Sequence, residues 1–404
     1  MSYSLDRPSA TDADRALRED LVARAAKLRG IVAGNAEQNE RDRRVSQESI
    51  DAIEEAGLFS ITRPRRFGGF QVDIRTKLEV SRELARGDGS TAWVTALLNG
   101  AAWLAGDYSE QAQQDVWGQD QSNRLCSVFA PSATTKRVDG GFVVTGSWGY
   151  ASGSYHAQWA HLGIPIVNEA GEPVDQGLAL IPMSDLSIEE TWFVAGMCGT
   201  GSNTLSCEEV FVPDHRVLSL SKALGGKFDT PFTDEALYRS PFVPVALLLV
   251  VGPQLGMAQA ALDLAIEKAP KRRMAYTEYG SQVEAPTVQL LLAKAASLVD
   301  TAHLHAYRAA ADIDEAAHHG VVMDYKSRAR ARMDVAAAIT AAREAVRTVA
   351  AAHGASTFAE VNPLQRIMRD IEAASLHAVT DPQISALVYG RALVGVEGGV
   401  TPLV

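Results

Sequence analysis

The chain has 404 residues, of which 47% are hydrophobic and 22% are charged, a composition typical of a soluble globular protein with two or three packed units. Its formal net charge of −11 argues against general nucleic-acid binding, because an acidic surface repels the phosphate backbone. Three cysteines without a CxxC spacing argue against a disulfide framework or a structural zinc site. The N-terminus lacks the apolar core of a signal peptide. We therefore expect a cytoplasmic protein with reduced cysteines.

The first part of the chain, residues 1–122, is predicted to be a helical domain. Apolar residues recur every three or four positions over residues 10–58, and Ser46 is a predicted N-cap. Residues 74–118 show the same helical pattern, with a break at the sequence GDGS of residues 87–90.

The pattern changes in residues 123–228, where short runs rich in β-forming residues alternate with turns. The runs are CSVFA, GFVVTG, AHLGIPIV, GLALIPM and SCEEVFV. This spacing predicts an all-β unit of about a hundred residues.

Residues 229–404 are predicted to be helical and rich in alanine, which favours close helix packing. Asn362-Pro363 and Asp381-Pro382 are predicted helix starts, because proline suits the first helical position. The predicted helices lie near residues 242–268, 284–316, 321–353, 363–378 and 382–396.

An apolar run that begins at Pro241 is long enough to suggest a membrane span. However, Pro253, Gln254, Gln259 and Asp263 interrupt it, and polar groups are unfavourable in lipid. We therefore predict a buried helix and no membrane partner.

Several common motifs are missing from the sequence. It has no GxGxxG after a strand, no GxxxxGK[ST], no HExxH and no EF-hand loop, so it predicts neither NAD(P)H binding nor a metal site. The glycine-rich sequence GMCGTGSN, residues 196–203, is interpreted either as a tight turn or as a close approach of the backbone to a ligand.

Five segments occur in an order that resembles the acyl-CoA dehydrogenase fold. The resemblance covers about residues 15–396 and rests on AIEEAGLFSITRPRRFGG, ELARGDGSTAWV, GFVVTGSWGYASGSYHAQW, GTGSNTLSCEEVFVPDHRV and NPLQRIMRD. It implies an α+β chain with an N-terminal helical domain, a central β-barrel and a C-terminal four-helix bundle. It also implies a flavin between barrel and bundle, and a homotetramer.

The resemblance has two chemical branches, and the segment after Arg369-Asp370 distinguishes them. Acyl-CoA dehydrogenases carry a carboxylate base at a position that falls here near His377 and Ala378, and Glu372 comes about a turn and a half too early to replace it. The sequences IMRDIEAASLHAV and YGRALVG instead resemble the flavin-dependent monooxygenases of this fold.

This second branch implies the oxygenase component of a two-component aromatic hydroxylase. Such a component takes reduced flavin, here expected to be FMNH2 with FAD as the alternative, from a separate NAD(P)H:flavin reductase. With O2 the flavin forms a C4a-hydroperoxide that hydroxylates an aromatic or polycyclic small molecule. The alternatives are an acyl-CoA dehydrogenase or oxidase, an N- or S-oxygenating monooxygenase, and a relative that binds flavin without catalysis.

The resemblance also implies the catalytic residues. The histidine that matches His377 sits beside the flavin, and the serine that matches Ser152 donates to flavin N5. A histidine suits proton delivery because its pKa lies near neutrality. An aromatic wall that excludes water is predicted from Trp148, Tyr150 and Phe129.

Further binding residues follow from the same resemblance. Trp93, Asn99 and Tyr150 are predicted to line the substrate pocket. Several relatives carry a histidine just after this region, but the sequence LLNGAA has none. This difference argues against a simple phenol as the substrate. Gly201 and Ser202 are predicted to lie beside the flavin, and Arg273, or equally Arg272, is predicted to bind a flavin phosphate. His156 and Trp159 are predicted to pack inside the barrel.

Overall fold

The N-terminal part of the chain is helical, as predicted. The structure is a computed structural model and describes residues 6–404. Ser46 caps a helix as predicted, since its side chain accepts a hydrogen bond from the backbone N–H of Ser49, and the GDGS break separates two helices. The helices are α1 (Asp12–Asp42), α2 (Gln47–Glu55), α3 (Ile74–Ala85), α4 (Gly89–Ala105) and α5 (Glu110–Trp117).

The central part consists of strands, which lie in two four-stranded sheets. The strands are β1 (Leu125–Val128), β2 (Ala133–Val138), β3 (Gly141–Ala151), β4 (Trp159–Val167), β5 (Pro173–Pro182), β6 (Ser187–Glu189), β7 (Asn203–Pro213) and β8 (Val217–Ser219). One sheet has the order β1-β4-β5-β8 and the other the order β2-β3-β7-β6. Only β1 and β4 run parallel among these pairs.

The predicted barrel is supported only as a region of sheet. The sheets contact each other through apolar side chains such as Val144, Leu162 and Leu205, which belong to one buried cluster. Strand pairing among residues 6–404 does not join the two sheets into a closed cylinder. Packing between side chains, rather than a continuous backbone ladder, therefore holds this region together.

The C-terminal part is again helical. Its helices are α6 (Leu220–Leu224), α7 (Phe242–Leu248), α8 (Val251–Lys268), α9 (Pro286–His319), α10 (Tyr325–His353), α11 (Pro363–Ser375) and α12 (Pro382–Leu393). The single helix predicted over residues 242–268 is thus two helices, and the helix predicted over 363–378 ends at Ser375. Pro363 and Pro382 occupy first helical positions as predicted.

Small residues bring helices of the two helical parts into close contact. A Cβ atom on Gly256 of α8 would lie 2.1 Å from the carbonyl oxygen of Arg82 on α3. No side chain fits at that distance, so glycine permits this approach of the two backbones.

The apolar run predicted to be a buried helix is largely enclosed. The segment Phe242–Lys271 is long and apolar enough to cross a membrane by length and composition alone, yet 83% of its most apolar stretch is buried inside the protein. This burial is typical of a core helix.

Candidate active site

A sharp turn after β3 presents Ser152 to α4. Tyr150 and Gly153 both have positive φ angles, of 65° and 76°. A Cβ atom on Gly153 would lie 3.1 Å from the side chains of Val94 and Leu98. Glycine therefore serves both the backbone conformation and the close approach of α4.

Ser152 begins a chain of three buried hydroxyl groups. Its Oγ lies 2.6 Å from Ser202 Oγ, and Ser202 Oγ lies 2.7 Å from Thr200 Oγ1. Thr200 Oγ1 donates to the carbonyl oxygen of Met197 at 2.8 Å. On the other side, Trp93 Nε1 donates to Ser152 Oγ at the long distance of 3.4 Å.

His377 lies beside this group, although it comes from the opposite end of the chain. It follows the end of α11 and its ring centroid is 5.9 Å from that of Trp93. The side chain still reaches solvent in the single chain, yet desolvation by the surrounding protein lowers the pKa of His377 below its usual 6.5. The imidazole is therefore neutral at pH 7, with one nitrogen as donor and the other as acceptor.

Two side chains of α11 contact the segment that precedes the hydroxyl chain. Asp370 accepts a hydrogen bond from the backbone N–H of Met197, and Arg369 donates to the carbonyl oxygen of Ala195. Burial raises the pKa of Asp370 to about 7, with a further contribution from the nearby Asp88. The turn that carries Thr200 and the helix that precedes His377 thus form one unit.

An open cleft of about 650 Å³ borders this unit. Gly196 lies at its floor, where a Cβ atom would come within 2.2 Å of the carbonyl oxygen of Arg369. Trp192 lines the cleft and makes an edge-to-face contact with Tyr150, at 5.7 Å between ring centroids. The other lining residues are Val194, Ala195, Phe358, Gln365, Met368, Arg369, Glu372 and Ala373.

The structure brings four of the predicted site residues together, namely Ser152, Ser202, Trp93 and His377. Gly201 is adjacent to them and has a positive φ of 55°. This angle accounts for a glycine there without a ligand, which favours the tight-turn interpretation of the GMCGTGSN sequence.

Trp148 requires a correction, because its side chain lies in the core between the sheets. It is fully buried, and its Nε1 donates to the carbonyl oxygen of Gly163 at 2.8 Å. An indole with no exposed surface cannot contact a flavin, so its place in the structure argues against the predicted cofactor contact.

Asn99 requires a similar correction. It is fully buried on α4, and its Nδ2 donates to the carbonyl oxygens of Leu58 and Thr95 at 2.8 and 2.9 Å. The side chain holds the backbone of the helical domain, and it has no exposed surface for the predicted substrate contact.

The side chains of the remaining predicted residues have other contacts than the Ser152 hydroxyl. Phe129 is partly buried and stacks on Phe242 at 5.8 Å, and Tyr150 is 76% exposed. Arg273 is exposed, whereas Arg272 donates to the His353 carbonyl oxygen and to Ser356 Oγ. His156 and Trp159 are buried, consistent with the predicted packing role.

Three residues with a place in this site were not predicted from the sequence. Thr200 ends the hydroxyl chain, Trp192 lines the cleft, and Asp370 connects α11 to the turn. The glycine-rich run marks Thr200, and the segment NPLQRIMRD contains Asp370. No local pattern marks Trp192, because distant parts of the chain form the cleft that it lines.

These groups fit a flat heterocycle such as the isoalloxazine ring of flavin. Ser152 offers a hydroxyl group that can accept or donate at a ring nitrogen, and Trp93 and His377 offer two rings beside it. Ser152 is almost completely buried, so water has little access to this hydroxyl.

Comparisons with known proteins identify the family of this chain. Residues 11–120 match the family "Acyl-CoA dehydrogenase, N-terminal domain" and residues 248–382 match "Acyl-CoA dehydrogenase, C-terminal domain". The chain is 35% identical to the flavin-dependent monooxygenase, oxygenase subunit HsaA, of Rhodococcus jostii, over 88% of this chain and 93% of that protein. It is 32% identical to the oxygenase component of FADH(2)-dependent resorcinol hydroxylase of Rhizobium sp., over 93% and 94% of the two chains.

Among solved structures, XiaF from Streptomyces sp. in complex with FADH2 and glycerol superposes with a TM-score of 0.91 at 34% identity, over 96% of this chain and 98% of that one. The structure of 3-HSA hydroxylase from Rhodococcus sp. RHA1 has a TM-score of 0.89 at 32% identity, over 95% and 99%. The chain therefore belongs to the flavin-dependent monooxygenase oxygenase subunits of the acyl-CoA dehydrogenase fold.

Proposed function

We propose that this protein hydroxylates an aromatic small molecule with O2, using reduced flavin that a separate NAD(P)H:flavin reductase supplies. The observation that carries the proposal is the cluster of Ser152, Trp93 and His377 at the meeting point of sheet, α4 and α11. Relatives at 32–35% identity are named as oxygenase components or subunits, which supports the dependence on a second protein.

The carboxylates of α11 argue against a dehydrogenase. Asp370 is buried against the backbone of Met197, and both oxygens of Glu372 accept hydrogen bonds from Arg347, at 2.5 and 2.8 Å. The base of an acyl-CoA dehydrogenase must reach the substrate directly. Here a neutral imidazole, that of His377, lies beside Trp93, with 5.9 Å between the ring centroids.

The mechanism assigns separate tasks to the residues of the cluster. When bound, reduced flavin supplies the electrons with which one oxygen atom of O2 enters the substrate ring and the other leaves as water. Ser152 Oγ would hold the N5 edge of the flavin, and the N–H of the neutral His377 imidazole would donate a hydrogen bond to the departing oxygen. The ring of Trp93 keeps water from the Ser152 hydroxyl.

The choice of flavin is part of the proposal. The sequence predicted FMNH2 with FAD as the alternative. However, the relative at 32% identity is an FADH(2)-dependent resorcinol hydroxylase, and XiaF, at 34% identity, forms a complex with FADH2. The solved structure of TdsC from Paenibacillus sp. A11-2 with FMN and indole is only 19% identical to this chain, so it supports the fold alone. We therefore propose FADH2 as the preferred flavin, which anaerobic titration with FADH2 and FMNH2 tests directly.

The activity test needs three mixtures and a panel of aromatic compounds. The relatives suggest resorcinol, p-hydroxyphenylacetate and indole-3-acetate as first members of the panel. The protein with NADH alone should form no product, whereas addition of a flavin reductase and FAD should give a hydroxylated product containing one atom of 18O from 18O2. Product formation with NADH in the absence of a reductase would contradict the two-component proposal.

The predicted homotetramer and cytoplasmic location remain proposals. Large apolar side chains such as Leu290, Val361 and Val394 are exposed on the C-terminal helical part, as expected of a surface that contacts other copies. Light scattering after size exclusion measures the mass of the assembly and so tests the tetramer.

A further inference from the structure

The hydroxyl chain of Ser152, Ser202 and Thr200 has a preferred direction, and we propose that this direction makes the site selective for reduced over oxidised flavin. The inference rests on the proposed function, since it concerns the flavin that this function requires. Its basis is that each hydroxyl group carries a single proton, so a hydroxyl that has donated can thereafter only accept.

The direction follows from the group at the inner end. The carbonyl oxygen of Met197 can only accept, and Thr200 Oγ1 donates to it at 2.8 Å. Ser202 must then donate to Thr200, at 2.7 Å. Ser152 in turn must donate to Ser202, at 2.6 Å. All three protons are bonded inside the protein, and Ser152 Oγ retains a lone pair for a ligand.

The opposite direction makes one hydrogen bond fewer. If Thr200 donated to Ser202, and Ser202 to Ser152, the Ser152 proton would have no protein acceptor within residues 6–404. The three residues are 2%, 3% and 8% exposed, in the order Thr200, Ser202 and Ser152, so water does not readily replace the lost partner. A buried hydroxyl without a partner is unfavourable.

Trp93 favours the same direction independently. Its indole Nε1 is a donor only, and it points at Ser152 Oγ at 3.4 Å. A neighbouring donor stabilises Ser152 as an acceptor and opposes any arrangement in which the Ser152 proton points outwards.

The two redox states of flavin differ at the atom that Ser152 would meet. Reduced flavin carries an N–H at N5, whereas oxidised flavin has only a lone pair there. A Ser152 lone pair accepts from the first and repels the second. In this arrangement Ser152 accepts from the N5–H of reduced flavin, which is the reverse of the donation to N5 that the family resemblance implied. Thr200 and Ser202 are therefore positioning residues, since they act on the flavin only through Ser152.

The test compares how tightly each redox state binds to the full-length protein. In Thr200→Val the side chain keeps its shape, but Ser202 loses its acceptor and turns its proton towards Ser152. We expect wild-type protein to bind reduced FAD more tightly than oxidised FAD. The Kd for oxidised FAD divided by the Kd for reduced FAD should fall about fivefold in the variant, which is the effect of one hydrogen bond. The potential of the bound flavin should fall by about 20 mV, because tenfold corresponds to about 30 mV for a two-electron couple.

Two further variants separate this role from a merely structural one. Thr200→Ser retains the hydroxyl group and should retain the wild-type ratio. Thr95→Val is the matched control, because Thr95 Oγ1 is also buried and donates to a backbone carbonyl, that of Thr91 at 2.9 Å, outside the chain of hydroxyls. It should leave the ratio unchanged.

The proposal is overturned if Thr200→Val changes the ratio by less than twofold, including the case in which both affinities fall by the same factor. These titrations are anaerobic and need no substrate, so their failure is distinct from failure of the proposed function. The latter would show as wild-type protein that binds flavin but hydroxylates no member of the panel.

Discussion

At the scale of single residues, Ser152 is the side chain on which the proposed chemistry depends most. In Ser152→Ala the hydroxyl that we propose to contact the flavin is lost, and with it a hydrogen bond to the flavin worth about 1 kcal/mol. We expect the reduced-flavin complex, when mixed with O2 in the absence of substrate, to release H2O2 at least about fivefold faster. A peroxide assay in a stopped-flow instrument measures this rate.

The matched control for Ser152 is Ser147→Ala. Ser147 is an exposed residue of the same strand, β3, and its substitution should not alter the release of H2O2. Equal rates for Ser152→Ala and wild-type protein would show that Ser152 does not protect the reaction.

Trp148 illustrates a different residue-scale effect, namely core packing. Trp148→Phe removes the N–H that satisfies the carbonyl oxygen of Gly163 and leaves a small cavity in a fully buried position. The free energy of unfolding should fall by about 1–3 kcal/mol, while the Kd for flavin stays unchanged. Urea denaturation and flavin titration measure the two quantities, and weaker flavin binding at unchanged stability would restore the predicted cofactor contact.

At the scale of elements, Asp370 couples the position of α11 to pH. Burial raises the pKa of Asp370 to about 7, against 3.8 for an exposed aspartate, so the folded protein holds a proton that the unfolded chain releases between about pH 4 and 7. This contribution to stability is therefore present at low pH and is lost as the pH rises through about 7.

Asp370→Asn should remove this pH dependence, since an amide does not ionise and its oxygen can still accept from Met197. We expect the Tm of the variant minus the Tm of wild type to be larger at pH 8 than at pH 5. Thermal denaturation at the two pH values measures this difference. Glu360→Gln, at an exposed position, is the control and should show no such difference. A Tm difference independent of pH would contradict the raised pKa.

At the scale of the whole molecule, one carboxylate joins the two helical parts. Asp314 of α9 is buried and accepts from the backbone N–H groups of Ile74 and Arg75, at 2.8 and 2.9 Å, where α3 begins. Asp314→Ala would remove the carboxylate that accepts from both N–H groups, so the free energy of unfolding should fall by about 2–4 kcal/mol. Chemical denaturation measures it.

Asp300→Ala is the control for Asp314, because Asp300 lies on the same helix and is exposed. The free energy of unfolding of Asp300→Ala should stay within about 0.5 kcal/mol of the wild-type value. A similarly small change for Asp314→Ala would show that the contact between α9 and α3 does not depend on this carboxylate.

The sequence by itself determined the features that depend on local patterns, such as the helices, and the family, which depends on the order of several motifs. Helical periodicity, the cap at Ser46 and the prolines at 363 and 382 predicted most helices, because these signals act within a few residues. The five ordered segments predicted the family, and His377 in place of a carboxylate predicted an oxygenase, as the relatives support.

Only the tertiary structure decided which side chains face the site. Trp148 and Ser152 lie four residues apart, yet one fills the core between the sheets and the other meets α4, since the strand ends between them in a turn with positive φ angles. Asp370 and Thr200 both bond Met197, and these contacts bring α11 against the sheet region. Such contacts depend on how distant segments pack, and the local pattern around each residue does not specify that packing.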